Sequence, residues 1–268
     1  MTGLSRQNDG VVADRAADAE AVASVIRQMK LPQNGTVTLD EWAEYAGLGK
    51  YRLTDAFRTL TGIPPMTFHN AEKLELAKRL LVFEEMSVTD TCFDIGFESL
   101  GSFISKFTTQ VGIPPGKYAR TMKETGFAEL FVLALAHGLK DGAEGAAQAR
   151  LRFERPVWSG APGVIAAIFR KPIPSGMPTV WRFIHALGTG TSVPLQTKGY
   201  CLAASLPLRP AMADLINLKP ALIGRAELRP GVAETRIAMV EPTVFDPPVT
   251  LAVPALFCRE SNGLAKAG

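Results

Sequence analysis

Polar side chains recur at helical spacing on two short stretches of this 268-residue chain. In residues 50–60, Tyr51, Thr54, Asp55 and Arg58 fall on one side of a helical wheel, opposite Leu, Ala and Phe. In residues 98–109 the polar side is small, with glycine, serine, threonine and one glutamate. A helix with one anchored apolar face and one short polar face is the shape that a DNA major groove accepts. These stretches therefore predict hydrogen-bonding recognition of a duplex.

Patterns for catalysis and metal binding are missing from the sequence. There are three histidines, and no GxSxG, HExxH or Walker motif. The cysteines Cys92, Cys201 and Cys258 lie far apart, which favours neither a zinc site nor a disulfide framework. We therefore expect no enzyme activity, no metal and no cofactor.

Each polar face belongs to a helix–turn–helix pattern, and the pattern occurs twice. In residues 38–60, Thr38 or Asp40 is placed to cap a first helix, and Gly47-Leu48-Gly49 turns the chain. In residues 87–107 the turn contains Gly96, which tolerates the positive φ of a sharp helix stop. TGIPP closes the first unit and VGIPP the second. Two copies of a groove reader explain this repeat better than a solenoid does.

The stretch between the two units, residues 66–84, has its own helical pattern. Ala71, Leu74, Ala77 and Leu81 form its apolar stripe, and Lys73, Lys78 and Arg79 are predicted to lie outside that stripe. About 20 residues at 1.5 Å per residue span roughly 30 Å. Successive major-groove faces on one side of B-DNA are about 34 Å apart, so the spacer fits a reader of two adjacent groove segments.

Net charge gives less support to duplex binding. Residues 1–125 contain 14 Lys and Arg against 16 Asp and Glu, whereas phosphate binding usually leaves a basic footprint. Helix N-termini also bind phosphates without side-chain charge. The cations expected to form a local stripe are Arg52, Arg58, Lys78, Arg79, Lys106 and Lys117.

The flanking segments predict a helix, a buried segment and a linker. Residues 14–30 read as a helix that packs on the first unit, after a frayed tail at residues 1–10 without a signal-peptide core. Residues 127–137 are apolar all round but too short for a membrane span. They are expected to pack between two domains or to contact a second copy of the chain. Residues 140–149 are small and polar, which is typical of a linker.

From Arg150 onward the apolar runs shorten to strand length. Alternation and turn residues predict seven strands, which suggest an antiparallel β-sandwich. Its aromatic residues are expected to form the core, or else to line a small-molecule pocket with nearby cations available for an anion. The predicted strands are 151–158, 163–169, 179–186, 199–206, 221–228, 234–240 and 249–253. The aromatic residues are Trp158, Trp181, Phe183, His185 and Tyr200, and the cations are Arg170, Lys171 and Arg182.

Residues 36–120 resemble the DNA-binding domain of the AraC/XylS transcriptional regulators. The resemblance rests on the GIPP motif at 62–65, the run KLELAKRLL at 73–81, IGF at 95–97, Phe103 with Phe107, and VGIPP at 111–115. It implies a seven-helix domain with two helix-turn-helix units whose outer faces contact bases. The residues predicted to bind DNA are Lys50, Tyr51, Arg52, Thr54, Asp55 and Arg58 in the first unit and Glu98, Ser99, Leu100, Gly101, Ser102, Ser105 and Lys106 in the second.

The C-terminal half resembles the prealbumin-like, or transthyretin-like, β-sandwich found behind such a domain in some AraC-type regulators. The resemblance rests on residues 173–178, 202–207 and 246–256. The sequence thus predicts an all-α double helix-turn-helix domain followed by an antiparallel β-sandwich. The expected boundaries are 11–125 for the DNA-binding domain, 126–149 for the helix and linker, and 150–258 for the sandwich.

These observations predict a cytoplasmic, sequence-specific transcription regulator that binds double-stranded DNA and is modulated through its sandwich. RNA polymerase, a small-molecule effector and a second copy of the chain are the other candidate partners, and no membrane contact is expected. Two alternatives stay open. One is an architectural or accessory DNA binder without an effector. The other is a ligand- or carbohydrate-binding sandwich that is targeted to DNA.

Overall fold

A computed structural model describes residues 3–31, 36–124, 148–154, 163–171, 176–185, 190–205 and 220–251. The side chains of residues 3–13 and of His185 are not among those described. The predicted helix at 127–137, most of the linker at 140–149, and the residues Trp158 and Cys258 lie outside the described part of the chain. The last two residues of the predicted linker, Gln148 and Ala149, already belong to the first strand.

The described residues form seven helices before the first strand, the number that the resemblance implies. They are α1 (Gly3–Met29), α2 (Leu39–Tyr45), α3 (Lys50–Thr61), α4 (Pro65–Phe83), α5 (Val88–Asp94), α6 (Leu100–Val111) and α7 (Pro115–Glu124). The predicted frayed tail at residues 1–10 is wrong, because α1 already begins at Gly3. Residues 3–13 contain no proline, and one internal glycine, Gly10, costs a helix only about 1 kcal/mol.

Local capping fixes where the helices of the two units start and stop. Thr38, rather than Asp40, caps α2 in a reciprocal capping box with Glu41, and Ser87 caps α5 by accepting from the backbone N–H of Asp90 at 3.0 Å. Gly62 and Gly112 end α3 and α6 in the left-handed conformation, at φ of 80° and 100°. The repeated glycine–isoleucine–proline motif therefore ends the second helix of both units.

Two apolar clusters hold the helices together, and α4 contributes to both. The first cluster joins α1, α2 and α3 around Ile26, Trp42 and Phe57 and includes Phe68 of α4. The second cluster contains Leu74 of α4 with residues of α5, α6 and α7. Each helix-turn-helix unit thus has its own core, and α4 sets the distance between the two.

The described residues after the helices form seven strands in two sheets. They are β1 (Gln148–Glu154), β2 (Gly163–Phe169), β3 (Val180–His185), β4 (Gly190–Pro194), β5 (Gly199–Ser205), β6 (Leu222–Leu228) and β7 (Thr235–Ala238). The four-stranded sheet has the order β3-β2-β5-β6 and is antiparallel, as predicted. The three-stranded sheet has the order β4-β1-β7.

The prediction of a wholly antiparallel arrangement is wrong for one pair, since β1 and β7 run parallel. The strand before β7, β6, belongs to the other sheet. No tight hairpin therefore forces β7 to run antiparallel to its neighbour. The expected strand at 249–253 is also not formed in its described part, residues 249–251, although Val249 and Leu251 are buried. Strand β4 was not predicted.

Both faces of the four-stranded sheet are covered. Val164, Ala166 and Ile168 of β2 pack with residues of the three-stranded sheet. The alternate residues Ala167 and Phe169 belong to the apolar cluster that also contains α4, α6 and α7. The described chain is therefore layered, with helices on one side of the four-stranded sheet and the second sheet on the other.

Between the described residues, three hydrogen bonds join the helices to the strand region. The Lys78 ammonium donates to the carbonyl of Thr250 at 3.4 Å. The Thr250 hydroxyl and the backbone N–H of Gly176 both donate to the carbonyl of Gln110, at 3.3 and 2.9 Å. Lys78 is fully buried at this contact, whereas Lys73 is nearly buried beside the second unit, where its ammonium donates to the Gly96 carbonyl at 3.2 Å. The prediction that both lysines lie outside the packed side of α4, with Lys78 in a local basic stripe, is wrong. The strand region covers Lys78, and the second helix-turn-helix unit covers Lys73.

Candidate nucleic-acid interface

The outer face of α3 presents most of the residues predicted for the first unit. Tyr51 is 88% exposed, and Arg52, Asp55 and Arg58 are exposed with it. Thr54 is half-buried, and its hydroxyl donates to the Lys50 carbonyl at 2.8 Å. Underneath, Leu53, Ala56 and Phe57 are buried in the first helical core. The inner face therefore anchors the helix and leaves its polar face to solvent.

An open surface depression of about 500 Å³ follows this face. Five of the predicted residues line it together with Leu39, at the start of α2, which the sequence had not singled out. Because Leu39 adds an apolar edge beside the polar groups of the other side chains, this surface offers both hydrogen bonding and apolar contact to a base edge. The predicted residues that line it are Lys50, Tyr51, Thr54, Asp55 and Arg58.

The cations at the start of α3 are already paired with carboxylates. Lys50 lies 2.7 Å from Asp40, and this hydrogen bond raises the pKa of Lys50. Arg52 contacts Asp18 at 2.9 Å and Asp14 at 3.2 Å, and the bond to Asp18 is the main cause of its raised pKa. Within the described part of the chain, Arg58 forms no ion pair, which leaves its guanidinium available to a phosphate or a guanine.

The sequence analysis did not predict the acidic partners of Arg52. Asp14 and Asp18 stand four residues apart on α1 and so share one helix face. That spacing indicates an acidic face on α1, but the residue that this face contacts, Arg52, lies 34 positions away from Asp18. Only the packing of α1 on α3 brings these groups together.

The second unit exposes a smaller face. Glu98, Ser99, Gly101, Ser102 and Ser105 are exposed as predicted, and the Ser99 hydroxyl caps α6 by accepting from the Ser102 N–H at 3.3 Å. A Cβ added to Gly101 would meet no atom within 4 Å. The backbone at the start of α6 is therefore open to close approach by a large partner.

Two residues of α6 differ from their expected positions. The apolar spacing of Leu100, Phe103, Ile104 and Phe107 predicts one buried stripe, but Ile104 is 36% exposed. The inner face of α6 is filled by Phe103, Phe107 and Val111. Lys106 is half-buried, with its ammonium 5.7 Å from the centre of the Phe97 ring. Lys73 lies 5.8 Å from the same ring, and burial and the nearby Lys106 charge lower the pKa of Lys73. Leu100 is half-buried.

The aromatic residues proposed for a ligand pocket do not converge in the described structure. Phe183 is buried, and Trp181 packs against the cluster shared with the helices. Tyr200 instead lines a separate cavity of about 260 Å³ that also touches Ile63 and Arg225. Among the described residues, no group of His, Cys, Asp and Glu is arranged to hold a metal ion. None of the described helices has the length and apolar character to cross a membrane.

The geometry of two capped helix-turn-helix units agrees with comparisons to known families. A family model for a helix-turn-helix domain matches residues 42–121. The helical half contains a helix-turn-helix domain. The matched span runs from Trp42 in α2 to Thr121 in α7 and so includes both units of this domain. The match supports a DNA-binding transcription regulator.

Curated relatives match part of the chain. The transcriptional activator AarP of Providencia stuartii is 27% identical over 115 residues, which are 41% of this chain and 84% of AarP. The RCS-specific activator RclR of Escherichia coli K12 is 23% identical over 103 residues, which are 38% of this chain and 36% of RclR. The chain thus spans most of AarP and about a third of RclR.

Solved structures also resemble part of the chain. An AraC-type regulator from Chromobacterium violaceum is 21% identical, with a TM-score of 0.38, over 41% of this chain and 99% of its own. The strand region lies outside the span of the family match.

Proposed function

We propose that this chain is a sequence-specific regulator of transcription of the AraC/XylS type, which inserts α3 and α6 into adjacent major-groove segments of one duplex. One observation carries the proposal. Two helix-turn-helix units with the same glycine and proline boundaries stand at either end of α4. The 19 residues of α4 span about 28 Å at 1.5 Å per residue, close to the repeat of a duplex groove.

The two helices are suited to different parts of the recognition. Arg58 and Tyr51 on α3 supply an unpaired cation and an exposed aromatic hydroxyl for base edges and phosphates. The face of α6 is small, and we expect it to contribute backbone approach at Gly101 and apolar contact from Ile104 to thymine methyl groups. We therefore assign most of the recognition of the DNA sequence to α3.

Control of DNA binding through the C-terminal region is part of the proposal. The hydrogen bonds from Gly176 and Thr250 both end on Gln110, in the last turn of α6. A ligand that changes how the sheet packs therefore acts directly on the second recognition helix. A prealbumin-like fold at 150–258, a homodimer and a contact with RNA polymerase remain predictions.

Selection of bound sites from a random pool of duplex DNA tests the proposal. The full chain is expected to enrich a bipartite motif with two half-sites about one helical turn apart. Binding to the selected duplex should weaken steeply with salt, with a slope of about 0.9 per phosphate contact.

Two variants assign the half-sites. Arg58→Ala is expected to relax the preference at one half-site only, and Ile104→Ala at the other. Arg120→Ala, which removes an exposed cation of α7 outside both faces and outside the predicted basic stripe, serves as the matched surface control. Tight binding without any enriched motif indicates an architectural binder. No salt-sensitive binding to any duplex contradicts the proposal itself.

A further inference from the structure

A second cleft lies between the helix-turn-helix domain and the strand region. Its volume is about 420 Å³, within the usual range for small-molecule sites. Glu72, Leu76 and Arg79 of α4 and Lys30 after α1 form one wall, while Ile223 and Val249 belong to the other. Clefts between domains are frequent ligand sites because both walls contribute contacts.

The uncommitted charge in this cleft is positive. Of its carboxylates, Glu75 is paired with Lys78 at 2.7 Å, and Asp246 is paired with Arg225 at 3.0 Å. Glu72 also has an interaction partner. In the described part of the chain, by contrast, Lys30 and Arg79 are exposed and form no ion pair. Two free cations therefore face a cleft whose acids are occupied.

The apolar part of the lining lies beside these cations. Leu76 is half-buried on α4, and Ile223 and Val249 are buried in the facing wall. We propose that this cleft binds a small organic anion, consisting of an apolar body that contacts these three side chains and a carboxylate that pairs with Arg79 and Lys30. Arg79 suits this partner because its planar guanidinium pairs with a carboxylate through two parallel hydrogen bonds.

The cleft is connected to the second recognition helix by direct contacts. Glu75 lines the cleft and pairs with the buried Lys78. Lys78 donates to Thr250, and Thr250 donates to Gln110 of α6. An anion in the cleft adds a third charge beside this pair and contacts both domains at once. Its binding thus favours one packing of the sheet against α6. This consequence for DNA rests on the proposed function, whereas the binding itself does not.

Calorimetric titration of the full chain with a panel of monocarboxylates tests the site. The panel runs from benzoate and 1-naphthoate to octanoate, and each acid is matched with the alcohol of the same carbon skeleton. At least one acid is expected to bind with one-to-one stoichiometry, and its alcohol about tenfold more weakly, because the alcohol lacks the charge-assisted pair. The double variant K30A/R79A should bind the acid more weakly than the wild type by about the same factor. Leu76→Trp should abolish binding by filling the cleft.

The control K117A/R120A removes two exposed cations of α7 and should leave the affinity unchanged. The proposed site is overturned if no acid of the panel binds, if acid and alcohol bind equally, or if binding survives both K30A/R79A and Leu76→Trp. Titrating the bound acid into a complex with the selected duplex separates the two proposals. Failure to bind any duplex contradicts only the proposed function. Acid binding that leaves duplex affinity unchanged overturns only the connection to α6.

Discussion

Arg52 and Asp18 are joined by a 2.9 Å ion pair that ties the start of α3 to α1. Asp14 contacts the same guanidinium from one turn earlier on α1. A side chain predicted to contact DNA is thus held by two carboxylates on the protein's own surface. Contact of Arg52 with a phosphate requires that this pair be exchanged.

Replacing Asp14 and Asp18 by Asn should strengthen duplex binding roughly threefold, because it frees Arg52 and removes two negative charges near the phosphates. The cost in stability should be small, since water and salt screen exposed pairs. Gel-shift titration of the D14N/D18N variant at fixed salt measures the change, and R52A and the triple variant complete a double-mutant cycle. If D14N/D18N and R52A weaken binding equally, the carboxylates instead hold Arg52 in its binding position.

Substitution of Gly101 by Ala should change stability and duplex affinity in opposite directions. An added Cβ meets no atom within 4 Å, and replacing glycine by alanine at a compatible position stabilises a protein by about 0.4–1 kcal/mol, because it restricts the unfolded chain. If the α6 backbone approaches DNA closely, the same methyl group should weaken binding. Urea unfolding and gel-shift titration of the one variant provide both numbers. Unchanged duplex affinity would place the start of α6 away from the groove.

Removing the Lys78 ammonium should destabilise the protein strongly. Lys78 is fully buried beside Glu75, and although burial lowers the pKa of Lys78, the pair with Glu75 opposes that shift. Lys78→Met removes the cation of the buried pair with Glu75, and breaking such a pair costs about 3–5 kcal/mol. The double variant K78M/E75L should recover most of the loss, because no charge remains buried. Chemical unfolding of the wild type, K78M and K78M/E75L measures the free energy of unfolding of each protein. Equal losses of stability in the single and double variants would contradict the role of charge.

Acidification should destabilise the first helical core through His69. Burial, with a smaller contribution from the Lys73 charge, lowers the pKa of His69 to about 4 from 6.5. Between these values the unfolded chain binds more protons, so stability is complete above about pH 6.5 and decreases as the pH falls towards 4. The largest possible loss is about 3 kcal/mol. The His69 ring packs edge-on against the Trp42 ring, with 5.3 Å between the ring centres. His69→Phe therefore keeps an aromatic ring in place.

Urea unfolding of wild type and His69→Phe across this pH window isolates the contribution. Carboxylates titrate in the same range in both proteins, and the difference between the two curves therefore reports on His69. The wild-type curve should fall more steeply below about pH 6.5. Parallel curves would show that His69 accepts its proton in the folded protein at the ordinary pKa.

The contact of Gly176 with α6 should not tolerate a side chain. Gly176 has a φ of 72°, and an added Cβ would lie 2.6 Å from the Thr109 carbonyl oxygen. Gly231 offers a matched control, since its φ is 84° but nothing lies within 4 Å of an added Cβ. Both alanine variants incur backbone strain of about 1 kcal/mol or more. Gly176→Ala should cost more, because it also separates the sheet from α6.

Thermal unfolding compares the two variants, and amide hydrogen exchange in the last turn of α6 locates the effect. Faster exchange there is expected for Gly176→Ala and not for Gly231→Ala. Equal melting temperatures and equal exchange in the two variants would show that this contact does not help to hold the strand region on α6.

The sequence by itself determined the local architecture of the helical half. Apolar spacing, the capping box at Thr38 and the left-handed glycines Gly62 and Gly112 act within a few residues, so both helix-turn-helix units were predictable. The antiparallel character of the four-stranded sheet was also indicated by strand patterns. The parallel β1–β7 pair was not, because nothing local records which sheet a strand joins.

Only the tertiary structure decided where the charged residues lie. Lys78 reads as a surface lysine until the strand region covers α4, and Arg52 reads as a free cation until α1 brings Asp14 and Asp18 against it. The cleft beside Arg79 likewise exists only because two distant segments face each other. Burial and ion pairing depend on contacts between residues far apart in the chain. A helical repeat records which face of its own helix a residue occupies, but not what packs against that face.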